Sequence, residues 1–150
     1  MKLLFIFLAL FLGNNCFSQS LEGVWKGSWT YYYRSSKFPG RDFQTGNNPI
    51  KLQFVLNPDS SYSVYSFTKG LNSKGKDTTF VRSVFYRKIS EDSIYLEEIR
   101  IVKPENVPRG CMQKMVLKRG KRKRSITLEG TWDSRECTRR GEIVLYKRIS

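Results

Sequence analysis

The stretch Leu21-Glu22-Gly23-Val24-Trp25, "LEGVW", returns near the end of the chain as Leu128-Glu129-Gly130-Thr131-Trp132, "LEGTW". In each copy Leu, Gly and Trp have the same parity, so on a strand they share one face. A Gly next to a Trp on that face lets a strand bend while the ring fills the space beneath. The first copy runs on into an alternating segment: Trp25, Gly27, Trp29, Tyr31 and Tyr33 fall on one side, and Lys26, Ser28, Thr30 and Arg34 on the other. A helix would scatter these rings around its circumference.

The same period of two recurs along the chain. Ile50, Leu52, Phe54 and Leu56 alternate in "IKLQFVLN", and "PDSS" then turns the chain into "YSVYSF". "TTFVRSVFYR" and "SIYLEEIRIV" flank "KISEDS", and "CMQKMVLK" (111–118), "SITLEGTW" (125–132) and "EIVLYKR" (142–148) follow. The fold expected is all-β, an antiparallel, about eight-stranded up-and-down barrel. Within 94–101 the pattern changes phase, with Ile94 and Leu96 on one parity and Ile99 and Ile101 on the other. A β-bulge would reconcile them.

The first residues carry a compartment signal. Met1-Lys2 precedes the apolar run "LLFIFLALFL" (3–12), and "GNNCFSQS" follows. A basic start, a short apolar core and a small-residue exit describe a secretory signal peptide, too short to anchor in a bilayer. Cleavage is expected after Ser18, leaving a single domain at 19–150 in the periplasm or outside the cell. Lipidation of Cys16 is the competing reading, against which stand Gly13 and two Asn residues where a lipoprotein site has Leu and small residues. No later apolar run is long enough for a membrane-spanning helix. Cys111 and Cys137 then remain as an even pair in an oxidising compartment, which favours a structural disulfide over a redox pair.

The resemblance that these residues carry is to the lipocalin-like, or calycin, barrels. Gly23 and Trp25 match the Gly-x-Trp that opens the first strand of that group, and the long first loop followed by antiparallel strands is similar. The resemblance implies that Trp25 closes the barrel floor with a late basic residue packed over it, for which Arg148 is the candidate. It also implies a container for a small molecule. The Thr-Asp-Tyr segment and the C-terminal helix of the group are missing, so the resemblance is to a divergent member.

Function is narrowed by composition. The chain contains no His, which removes Ser-His-Asp and Cys-His catalysis and the usual zinc ligand sets. Carboxylates do occur together, as Glu97-Glu98 and as Asp133, Glu136 and Glu142, but neighbours on a strand face opposite ways, so Glu97 and Glu98 do not share a substrate. A non-enzymatic protein without cofactor or metal is expected. Trp29, Tyr31, Tyr33 and Phe54 would form the wall of a site for a small apolar or amphipathic ligand, and Phe38 and Phe43, in the 35–49 connection, its lid.

A second reading rests on charge. The formal net charge is +14, and Lys118, Arg119, Lys121, Arg122, Lys123 and Arg124 surround Gly120, the residue expected to supply a hairpin turn. Such a tip could dock on a polyanion, an anionic surface or an acidic protein. Presentation of the 35–49 loop as an inhibitor is a third possibility. A monomer is expected.

Overall fold

The computed structural model describes residues 20–34, 42–44, 47–105, 111–137 and 139–149, with side chains at all of these except 33–34 and 42–44. The proposed signal peptide, Cys16 and Phe38 lie outside the described residues. The strands are β1 (Gly23–Trp29), β2 (Tyr32–Arg34), β3 (Asp42–Gln44), β4 (Asn48–Leu56), β5 (Tyr62–Leu71), β6 (Asp77–Lys88), β7 (Ser93–Lys103), β8 (Lys114–Arg122), β9 (Ser125–Ser134) and β10 (Arg139–Arg148). Among the described residues there is no helix.

β1 and β4 to β10 form an eight-stranded antiparallel up-and-down barrel, closed where β1 pairs with β10. Closure sets Lys26 opposite Tyr146 and Gly27 opposite Leu145. The short β2–β3 ribbon extends from β10 beyond the wall, with Tyr32 opposite Arg140. The barrel is compatible with the calycin architecture. Its A end holds the start of β1 and the β4–β5, β6–β7 and β8–β9 turns. The B end holds the β2–β3 ribbon, the β5–β6 and β9–β10 turns and the connection from β7 to β8.

Alternation decides what fills the barrel. Leu52, Phe54, Leu96, Met115, Leu117, Leu128, Ile143 and Leu145 are inward and almost fully buried, together with Trp25. Burying a side chain of this size contributes roughly 1.5–3 kcal/mol, so this set supplies much of the drive for closure. The expected phase change in β7 is present as two register shifts against β6, one between Ser83 and Val84 and one between Val81 and Arg82. The first leaves Ile99 as the extra residue between Glu98 and Arg100, exposed on the outside, while Ile101 sits opposite the inward Arg82.

The two pentapeptides lie at opposite ends. Trp25 closes the A end, its indole N–H donating to the carbonyl of Leu21 at 2.8 Å. Trp132 closes the B end, donating to the carbonyl of Thr30 at 2.8 Å. At Gly130 the wall is so tightly coiled that a Cβ would overlap the carbonyl oxygen of Val116 on β8. The expected packing of Arg148 over Trp25 is corrected: the ammonium of Lys147 lies 5.8 Å from the Trp25 ring centroid, because Lys147 has the inward parity of Leu145 and Arg148 faces out. Lys147 also donates to the carbonyls of Ser20 and Glu22, tying the entry segment across the floor.

Candidate functional site

The residues expected to form one aromatic wall are divided between the ends. At the B end the Trp29 ring meets Trp132 edge to face at 4.9 Å and Tyr31 at 5.7 Å, and the Arg139 guanidinium lies 4.9 Å from the Tyr31 ring centroid. The indole N–H of Trp29 is buried without an acceptor. Phe54, opposite Gly23 in the β1–β4 pairing, belongs to the A end, where it packs on Trp25, Tyr62 and Tyr86. Trp29 and Tyr31 are therefore brought together and Phe54 is not. The side chains of Tyr33, Phe38 and Phe43 lie outside the described residues.

Between the apolar core and the B end sits a buried polar group built on Glu98. Its carboxylate accepts from the Ser66 hydroxyl at 2.5 Å and from the Gln113 backbone N–H at 3.0 Å. Arg82 lies 3.5 Å from the same carboxylate and donates to the Thr68 hydroxyl at 2.6 Å. Burial raises the Glu98 pKa above the usual carboxylate range, and outweighs the opposing pull of Arg82, Ser66 and the Gln113 N–H. The pairing across four elements ties β5, β6, β7 and the approach to β8 together. Glu97, by contrast, faces out, bonded to Tyr95 at 2.8 Å and to Lys114 at 3.2 Å. The two adjacent acids thus have opposite surroundings, as strand parity requires.

The basic run is not a loop. β8 continues through Arg122 and β9 begins at Ser125, so the turn is Lys123-Arg124, with Lys123 at φ 48°. The turn role expected of Gly120 is corrected accordingly. Gly120 lies within β8 opposite Thr127, where a Cβ would come within 2.7 Å of the Thr127 hydroxyl. Continuing the strand sorts the cations by parity. Arg119 faces inward at the A end, while Lys118 and Arg122 face out, paired with Asp92 at 3.4 Å and with Glu129 at 2.9 Å.

On the outer face closure brings together what the chain keeps apart. Tyr146, 40% exposed, lies beside Arg122, Lys123, Arg124 and Ser125 in one shallow groove and beside Val24, Lys26 and Arg148 in its continuation. Among the described residues no carboxylate pairs with Lys26, Lys123, Arg124 or Arg148. The next residue along the same cross-strand row, Lys51, sits over the Phe67 ring at 3.6 Å. Lys26 and Arg148 were not among the expected site residues. The signal that could have found them is their parity, opposite to Trp25 in β1 and to Leu145 in β10, once the first and last strands are set side by side.

The Cys111–Cys137 disulfide is formed, and clips the approach to β8 onto the β9–β10 turn at the B end. No group of three or more His, Cys, Asp or Glu side chains able to hold a metal occurs among the described residues, and no helix there is long and apolar enough to cross a membrane. Comparison of the chain with protein-family models, with curated proteins and with solved structures gives no match.

Proposed function

We propose that this is an exported, non-enzymatic binding protein that docks on a phosphate-bearing polymer through the outer basic face at the A end. The observation that carries this reading is the setting of Tyr146: an open aromatic ring framed by Lys26, Arg122, Lys123, Arg124 and Arg148, of which, among the described residues, Arg122 alone is engaged by a carboxylate. Cations held near one another on strands and on a tight two-residue turn attract phosphates, and the ring adds a flat surface for a base or sugar. The contribution of counterion release makes such binding steep in salt.

The test is replacement of Arg122, Lys123 and Arg124 by Gln, with a DNA duplex as the probe. These side chains are exposed or at the turn, so the thermal midpoint should stay close to wild type while affinity falls by about a hundred-fold or more at low salt. An unchanged affinity contradicts the reading. A polyglutamate chain that binds as tightly as DNA would show that phosphate is not what is recognised.

A second reading keeps the small apolar or amphipathic ligand, gripped at the B end by Trp29 and Tyr31. It is favoured by the buried Trp29 N–H, which lacks an acceptor that a ligand oxygen could supply. Native mass spectrometry of the mature protein, before and after unfolding, tests it through a small added mass lost on denaturation. A bare mass in both states counts against it.

A further inference from the structure

Beside the β6–β7 turn a recess of about 210 Å³ opens onto Tyr62, Tyr86, Ile94 and Leu128, with Lys88 and Arg119 also lining it. Ile94 and Leu128 belong to the barrel core, so the floor of the recess is the interior itself. Tyr62 and Tyr86 stand edge to face at 5.5 Å, and each meets the Phe54 ring, at 6.0 and 6.2 Å. Three rings braced in this way keep the walls apart.

The polar side of the recess has a definite sign. Arg119 faces inward on β8, and its backbone N–H is held by the Asp92 carbonyl at 2.6 Å. The Asp92 carboxylate is already taken by the hydroxyls of Ser90 and Ser93, at 2.8 and 3.1 Å, and by Lys118. Glu91 is the other acid in the lining. Two cations, Lys88 and Arg119, against one unengaged acid favour a ligand with a single negative charge. The Tyr62 hydroxyl is shared with Ser20 at 3.0 Å. Burial and the neighbouring Tyr62 raise the Tyr86 pKa, which keeps that phenol protonated as a donor.

We propose that this recess binds a small amphipathic monoanion, a short-chain or single-ring carboxylic acid, with its apolar part on Ile94 and Leu128 between the tyrosines and its carboxylate on Arg119. The volume lies below the roughly 300 Å³ at which drug-sized sites begin, which limits the ligand to a short tail or one ring. The site is independent of the outer face, because Arg119 and Tyr146 have opposite parities and stand on opposite sides of the wall.

Octanoate is the probe, with octanol and octylamine as isosteric controls, titrated into the mature chain by calorimetry and by methyl NMR of Ile94. Octanoate should saturate and shift the Ile94 methyls, with octanol at least about ten-fold weaker, since a charge-assisted hydrogen bond is lost. Arg119→Gln should weaken octanoate by about ten-fold, and Arg119→Lys should recover part of it. The variant with Arg122, Lys123 and Arg124 replaced by Gln should bind octanoate within about two-fold of wild type, even though it loses DNA. The proposal is overturned if the Ile94 methyls do not shift in a saturable way, if octanol or octylamine binds equally well, or if Arg119→Gln leaves octanoate binding unchanged.

Discussion

The two pentapeptides serve one purpose at two ends, and their surroundings differ. Trp25 is capped by backbone and by the Lys147 ammonium, and lies close to a recess. Trp132 is capped by backbone and by another indole, in an end also clipped by a disulfide. The glycines differ in the same sense. Gly23 has a φ of 107° but room around it, the nearest atom to an added Cβ being Lys147 Cε at 3.6 Å, whereas a Cβ on Gly130 would overlap a neighbouring backbone. The same five residues therefore meet a closely coiled neighbouring strand at Gly130 and open space beside Gly23.

The largest effects test whether the two plugs are equivalent. Trp25→Ala and Trp132→Ala should each cost about 3–5 kcal/mol, read as urea midpoints; a loss at only one of them would show that the other ring is not structural. Separating the Cys111–Cys137 pair by mutation to Ser should cost about 3 kcal/mol. Its hydrogen-exchange signature should be confined to the B end, with Glu98 and Gln113 amides losing protection before Trp25. Gly130→Ala should cost about 3 kcal/mol, from overpacking against backbone that cannot yield. Gly23→Ala should cost nearer 1 kcal/mol, from backbone strain alone. Equal costs would erase the distinction between the two copies.

The smallest effect is a pH dependence. Glu98 has a folded pKa above its unfolded value, so its contribution to stability is full below the ordinary glutamate range and is lost as pH rises through the folded pKa. Denaturation at about pH 4 and about pH 8 should therefore show wild type losing stability relative to Glu98→Gln as pH increases. The opposite slope would mean that Arg82 and the hydrogen bonds to Ser66 and Gln113 outweigh burial.

Much of this barrel was legible because its information is local. Alternation marked the strands, the phase change between Leu96 and Ile99 marked a bulge, and an even pair of cysteines marked the disulfide. What was hidden depends on closure or on a single residue of register. Tyr146 meets Lys26 only when the last strand pairs with the first, across nearly the whole chain. Lys147 rather than Arg148 covers Trp25 because one step of register reverses the face. The aromatic wall was read from shared parity, but parity places residues on a face and not at a height, so Phe54 and Trp29 lie at opposite ends. The turn in the basic run was misplaced because Gly120 was needed for space beside Thr127, not for its conformation.

Docking of the outer basic face on a phosphate polymer should show in the salt dependence of affinity for a DNA duplex between about 50 and 200 mM salt. Engagement of Lys26, Arg122, Lys123, Arg124 and Arg148 predicts a log–log slope of about −4.5, reduced in magnitude by about one in Arg148→Gln. A slope near zero, or one that Arg148→Gln leaves unchanged, would rule out docking through this face.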